Sequence, residues 1–272
     1  AMAHLLARSR VRIARERIRQ VFGPDYPESD VRRVAWRSLR NIFFNAVELV
    51  RLPRMTRAWA DRHVDLSSFI REVEEHLPRD RGAIFVVPHM GNWDLSGVIA
   101  GLRGHPVFFM AARQRNPLTD AYLNRHRAGT GIEVVLRDDP GVVRQVLRRL
   151  KEGRILCILI DLRSRTPGLR VRFLGREANL VPGLGLFARQ AGVPVFPGVV
   201  RRVGWTRHVW DFGPPVWPDL TQEKEEDWLR ITQQVMDVFD RAIRAHPDQY
   251  FWYNRRWVLD PIETGDAVRP QG

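Results

Sequence analysis

From residue 83 onward the chain alternates short apolar runs with longer amphipathic stretches, and few folds accept that alternation. AIFVVPH (83–89), PVFFMA (106–111), GIEVVL (131–136), RILCILI (154–160) and VPVFPGVV (193–200) have the length and β-branched content of buried strands. Between them, helices are predicted near 93–103, 117–128, 141–152 and 181–191. Strand and helix in regular succession predict an α/β fold with a mainly parallel central sheet flanked by helices. GLRVRFLG (168–175) and RHVWDFG (207–213) add two extended segments. A long final helix is expected over 223–246, with Trp228, Ile231, Val235, Val238, Phe239 and Ala242 on one face.

The first 60 residues have a different texture, which suggests an N-terminal helical segment (1–60) ahead of the α/β domain (61–272). Ala7, Val11, Ala14, Ile18 and Phe22 recur at helical spacing among Arg8, Arg10, Arg12, Arg15, Arg17 and Arg19. Such a helix can lie on a membrane or pack on the rest of the protein. GPDYPESD (23–30) breaks it, and Val31, Ala35, Leu39, Ile42, Phe43, Ala46 and Val50 form a second stripe, expected in the core. Charge narrows the partners. The 44 basic and 31 acidic residues give a net +13, and only Lys151 and Lys224 are lysines. Arginine grips phosphate and carboxylate with a planar fork, so nucleic acid, anionic lipid headgroups and an acidic carrier protein all suit this surface. The lone Cys157 excludes a disulfide framework and a cysteine-rich zinc site. No apolar run reaches the roughly 18–20 residues of a membrane-spanning helix, so the chain is expected to be soluble or peripheral.

VVPHMGNWDLSG (86–97) is where chemistry enters. His89 stands at the carboxyl end of a predicted strand, where ligands bind in such sheets. With Gly91 permitting a tight turn and Asn92 capping the next helix, Asp94 falls in the first helical turn and is expected to lean back toward the imidazole. A carboxylate on one ring nitrogen sets the tautomer, and the other nitrogen can then take a hydroxyl proton. With 8 histidines and 31 acids in 272 residues, about one such spacing arises by chance, so the strand–turn–helix context carries the reading.

Four stretches resemble the bacterial lipid A lauroyl/myristoyl acyltransferases, relatives of the glycerolipid acyltransferases. HMGNWD is similar to that family's His-x4-Asp/Glu site. AARQRNPLTDAYLNRHRAG puts Arg113, Asn116, Pro117, Arg125 and Gly129 on its Arg, Asn-Pro, Arg and Gly positions. Asp161 and VRFLGREANLVPGLGLFARQAGVPVFP resemble its Asp, Phe-x-Gly and small-residue helix, and HPDQYFWYNRRW its C-terminal block. The matches span nearly all of residues 30–257 in the family's order. Leu174 replaces a common Phe and Leu162 a frequent Gln.

The resemblance implies acyl transfer from a carrier-protein or coenzyme A thioester to a lipid hydroxyl. Lipid A is the usual acceptor, with phosphatidylinositol mannosides or lysophospholipids as alternatives. It makes His89 and Asp94 catalytic and Arg113, Asn116, Arg125 and Asp161 substrate-binding, with Glu177 carried over more loosely. No cofactor, metal or nucleic acid is expected. The location implied is the cytoplasmic face of a bacterial inner membrane, with contact to anionic lipid. Members of that family usually begin with a membrane-spanning segment, which is not found in this sequence, so either that segment has been lost or attachment is expected to be peripheral. The net charge favours acyl carrier protein as donor at low salt.

Other features have plainer explanations. Gly183, Gly185 and Ala188 spell a dinucleotide fingerprint, but NLVP is too short and polar to be the required strand, so helix packing is expected. His105, His126, His208 and His246 lack metal-ligand spacing. Arg255 and Arg256, among Phe251, Trp252, Tyr253 and Trp257, are read as structural. A basic nucleic-acid binder would account for the charge but not for the strand–His–turn–Asp placement, and no nucleic-acid motif is present. A noncatalytic membrane scaffold on the same fold is the remaining alternative, and thioester turnover separates it from an enzyme.

Overall fold

The computed structural model describes residues 2–112, 121 and 132–262. Two long helices open the chain, α1 (Met2–Phe22) and α2 (Glu28–Arg51). Glu28 and Asp30 lie in the first turn of α2 and Arg51 in its last, so the side-chain charges complement the helix dipole. A short helix α3 (Arg57–His63) leads into the sheet.

The strands are β1 (Val64–Asp65), β2 (Ala83–Val86), β3 (Val107–Ala111), β4 (Glu133–Leu136), β5 (Ile155–Ile158), β6 (Leu169–Phe173), β7 (Arg176–Leu180), β8 (Val195–Arg202) and β9 (His208–Phe212). Seven of them form one sheet in the order β1-β9-β8-β2-β5-β3-β4, and β6 and β7 make a separate hairpin. Every pairing in the large sheet is parallel except β8 with β9. Between strands run α4 (Trp93–Leu102), α5 (Val142–Lys151), α6 (Gly183–Ala191) and the closing helix α7 (Lys224–Ala245). Parallel strands covered on both faces read as unbroken apolar runs, and β2 is buried at all four positions. Its alternate residues serve two layers: Ile84 and Val86 join the cluster containing Val235 and Phe239 of α7, whereas Ala83 and Phe85 join the one containing Phe69 and Trp210.

The strand runs and the helices read near 93, 141, 181 and 223 are present; the helix expected over 117–128 lies outside the described residues. β7 departs from the sequence reading. Its sequence, REANL, is polar, and it becomes a strand by pairing antiparallel with β6, burying Ala178, Asn179 and Leu180. A strand does therefore precede the Gly183–Gly185–Ala188 pattern, contrary to the sequence reading, yet helix packing is still what it serves. A Cβ on Gly185 would lie 2.4 Å from Trp228 Cα of α7.

The two N-terminal helices divide their roles. Ala14, Ile18 and Val21 of α1 are buried in the same cluster as Tyr250, Trp252 and Trp257, so this stripe is packed. Arg17 is buried with them: its Nη1 donates to the carbonyls of Trp252 and Asn254, each at 2.7 Å, and its Nη2 meets Asp260 at 2.6 Å. On α2 the expected stripe splits. Val31 and Ala35 are buried and Leu39 and Ile42 half-buried, but Phe43, Ala46 and Val50 are exposed. The inner face instead includes the polar Ser38, Asn41 and Glu48.

Candidate active site

β2 and β5 pair in register, with Val86 opposite Ile158. Three residues beyond each lie His89 and Asp161, so the sheet itself brings them side by side. Asp161 accepts a hydrogen bond from His89 Nδ1 on one oxygen (2.8 Å) and from the His89 backbone N–H on the other (2.9 Å). Its side chain is fully buried, while the imidazole is 15% exposed. A carboxylate only accepts, so Nδ1 carries the proton and Nε2 is the basic nitrogen. Burial disfavours the imidazolium, but the charge and hydrogen bond of Asp161, with the charge of Asp94, outweigh it and hold the His89 pKa above its ordinary value. Burial and the neighbouring Asp161 push the Tyr250 phenol well up.

The turn after His89 is held from three directions. The C-terminal segment pairs with it, Phe251 N donating to His89 O (2.8 Å) and Gly91 N to Gln249 O (2.9 Å). Gly91 has φ +59°, and a Cβ there would lie 2.1 Å from Val200 O, so strain and space both demand glycine. Asn92 caps α4, its Oδ1 accepting from Leu95 N (3.1 Å). The same segment also reaches Asp161's strand end, through a bridge between Leu162 and Trp257 and a hydrogen bond from Arg163 N to Arg256 O (3.2 Å). The aromatic C-terminal block thus aligns the turn carrying His89 with the one carrying Asp161.

Asp94 lies in the first turn of α4, as read from sequence, but the hydrogen bond to Nδ1 belongs to Asp161. Register explains this: Asp161 comes straight off the neighbouring strand, whereas Asp94 has already entered a helix. Asp94 acts on His89 through its charge and lines an apolar slot of about 80 Å³ with Val87, Trp93, Phe109 and Cys157. Trp93 sets its ring 5.1 Å from that of His89. Burial pushes the Cys157 thiol up to about 12, which rules it out as a thiolate nucleophile at neutral pH. Glu177 sits apart, on the exposed hairpin, paired with Arg170 at 2.8 Å. Arg113, Asn116 and Arg125, with Pro117 and Gly129, lie outside the described residues. Among the described residues no group of three His, Cys, Asp or Glu side chains could hold a metal.

The profile of bacterial lipid A biosynthesis acyltransferases matches residues 1–258. The chain belongs to this family. Among curated relatives of this acyltransferase, a phosphatidylinositol mannoside acyltransferase of Mycobacterium tuberculosis is 27% identical over 81% of this chain and 69% of its own length. One from Mycolicibacterium smegmatis is 26% identical over 78% and 68%. A lipid A biosynthesis acyltransferase of Haemophilus influenzae is 22% identical over 67% of this chain and 56% of its own. The crystal structure of the 1-acyl-sn-glycerophosphate acyltransferase PlsC from Thermotoga maritima aligns over 84% of this chain and 86% of that one, at 17% identity and a TM-score of 0.41.

Next to the candidate site, joined to it through Asn92, lies a buried charge cluster that sequence reading missed. Glu48 of α2 accepts from Arg202 Nη1 (2.7 Å) and Nη2 (2.6 Å), from Asn92 Nδ2 (2.7 Å), and meets His208 Nε2 at 3.0 Å. Burial works to raise the Glu48 pKa, but the bonds from His208 and Arg202 prevail and lower it to about 2. Asn45, one turn earlier, donates to Gly91 O at 2.6 Å. A signal was available: Asn41, Asn45 and Glu48 recur at helical spacing within a helix otherwise read by its apolar stripe.

Proposed function

We propose that this acyltransferase moves a fatty acyl chain from a carrier-protein or coenzyme A thioester onto a hydroxyl of a glycolipid or phospholipid. The observation that carries the reading is the His89–Asp161 pair at the carboxyl end of the central strands, beside an apolar slot lined by Asp94. Nε2 takes the proton of the acceptor hydroxyl as its oxygen attacks the thioester carbonyl. The tetrahedral intermediate collapses, the C–S bond breaks, and the thiolate leaves with the proton returned by the imidazolium. Asp161 orients the ring and stabilises its charged form, Asp94 adds charge beside it, and no acyl-enzyme forms. Arg113, Asn116 and Arg125 are assigned to substrate binding, with Arg113 held for phosphate or the developing oxyanion. Glu177 is assigned no part in the reaction, given its exposed ion pair.

The acceptor proposed is a phosphorylated glycolipid, of the lipid A or mannosylated phosphatidylinositol class named for the relatives. The site of action is the cytoplasmic face of a bacterial inner membrane. Among the described residues no helix is long and apolar enough to cross a membrane. The outward face of α2 supports surface attachment: Trp36, Phe43, Val47 and Val50, at steps of seven, four and three, are 57–67% exposed. Arg33, Arg40 and Arg51 recur beside them, the mixture that favours an anionic interface. Trp205, on the β8–β9 connection, is 81% exposed, with its ring tilted 53° and centred 5.3 Å from that of Phe44 of α2.

Purified protein given an acyl thioester and anionic vesicles of candidate acceptors should release free thiol and yield acylated lipid, and mass spectrometry of cells with and without the protein should show the same product. Absence of transfer to every phosphorylated glycolipid tried, with no lipid changed in cells, would overturn the reading.

A further inference from the structure

A second cavity opens at the carboxyl ends of the strands, apart from the slot beside Asp94. It measures about 380 Å³ and is walled by Met110, Arg137, Arg165, Leu186, Phe187 and Arg256, among others. The three guanidinium groups come from separate places: the end of β4, the segment after β5, and the C-terminal block. Among the described residues, none that lines it carries a carboxylate. Arg137 has Asp138 3.6 Å from its Nε, and Arg256 Nη2 donates to Arg163 O. Arg165 makes no hydrogen bond or ion pair among the described residues, although it is half-buried. A half-buried guanidinium without an acceptor has given up part of its hydration for nothing in return, which an anionic ligand would correct.

Position ties this cavity to the reaction. Arg165 is four residues after Asp161, at most about 14 Å along an extended chain. Met110 belongs both to this cavity and to the apolar slot that Asp94 lines. Chemistry narrows the ligand further. Guanidinium groups recognise phosphate oxygens in a planar, bidentate way, and the wall formed by Leu186, Phe187 and Met110 asks for carbon next to that phosphate.

Resting on the acyl-transfer reading above, we infer that this cavity seats a phosphate ester attached to an apolar carbon, contributed by one of the two substrates. The arm of a phosphopantetheine thioester has this pattern, its phosphate one methylene from a dimethyl-substituted carbon. A phospholipid acceptor also presents a phosphodiester.

Calorimetric titration of the full chain separates these sources. Wild type is compared with Arg165→Gln and Arg137→Gln, with Arg148→Gln on the exposed side of α5 as a charge control. The ligands are 4′-phosphopantetheine, unphosphorylated pantetheine and a short-chain phosphatidylinositol. Arg165→Gln is expected to weaken 4′-phosphopantetheine at least fivefold, Arg137→Gln by less, and Arg148→Gln not at all, with pantetheine binding unchanged throughout and melting temperatures preserved. The same loss confined to phosphatidylinositol supports the cavity and assigns it to the acceptor. Wild-type binding of neither phosphate ester, variants that bind both as wild type does, or equal losses for pantetheine and its phosphate would overturn the inference. Binding needs no turnover, so absence of transfer by wild type counts against the catalytic reading alone, and the cavity's role stands or falls on the titration.

Discussion

Beyond its first two turns, where Val31, Val34 and Ala35 are buried, α2 has its two faces inverted relative to an ordinary surface helix. Inside, Glu48 is 4% exposed and bound to Arg202, His208 and Asn92; outside, Trp36 is 63% exposed with Phe43, Val47 and Val50 in line. A helix packed on an apolar core in water places its charges the other way round. The inner face is polar because it has a turn to hold: Asn45 and Glu48 grip Gly91 and Asn92, on either side of which stand His89 and Asp94. The outer face carries exposed apolar side chains, which suit the bilayer surface proposed above better than water. One helix thus joins the reaction turn to the proposed bilayer surface, about one helix diameter apart.

The contrast breaks most severely at the turn itself. His89→Ala should lower transfer by about 10²–10⁴-fold in a protein that still folds, with a lowered melting temperature because the buried Asp161 loses its Nδ1 partner. Asp161→Asn should fall within about tenfold of that loss, and Asp94→Asn should lose less, since Asp161 holds the ring. An Asp94 variant worse than the Asp161 variant would return the orienting role to Asp94. The pH profile sharpens the ranking. His89 must be neutral to act as a base, and its pKa is raised, so wild-type transfer should decline on the acid side beginning above the ordinary histidine value. Asp161→Asn should move that limb to lower pH. An unmoved limb would mean that another group titrates.

On the inner face, Glu48→Leu leaves the Arg202 guanidinium buried without its counter-charge and His208 Nε2 without its partner, and should cost about 3–5 kcal/mol of stability, read by denaturant unfolding. Linkage supplies a milder version. A carboxyl depressed from 4.5 to about 2 contributes stability that is fully present above the ordinary value and disappears as pH falls toward the lower one. The gap in stability between wild type and Glu48→Gln should therefore narrow between those two pH values; a constant gap would show that the charge is not what matters.

The outer face should behave in the opposite manner. Trp36→Ser and Phe43→Ser should leave stability intact and weaken binding to anionic vesicles by about tenfold or more each, given roughly 1.5–3 kcal/mol for burying a large apolar side chain. Undiminished vesicle binding by the double variant would remove this face from the membrane. The smallest effect belongs to a site away from both faces. Glu177→Gln breaks only an exposed ion pair, worth about 0–1 kcal/mol, and should keep transfer within about twofold of wild type.

Much of this molecule was legible before it folded, and the parts that were not share a cause. The strand runs, the helix periods, the cap at Asn92, the turn at Gly91 and the place of His89 at a strand end all follow from interactions within a few residues, which a linear reading contains. REANL carries no strand signal of its own, because its strand character comes from its partner β6. The arginine-rich stripe of α1 and the mixed stripe of α2 have similar periods, and period says that a face will be covered without saying by what. Arg17 found the carbonyls of the C-terminal block, while Trp36 and Phe43 were left outward. The sequence by itself determined an α/β chain with a histidine poised at the sheet's carboxyl edge. Tertiary structure alone decided which carboxylate orients it, because Asp161, 72 residues away, reaches Nδ1 only through the parallel register that sets Val86 against Ile158.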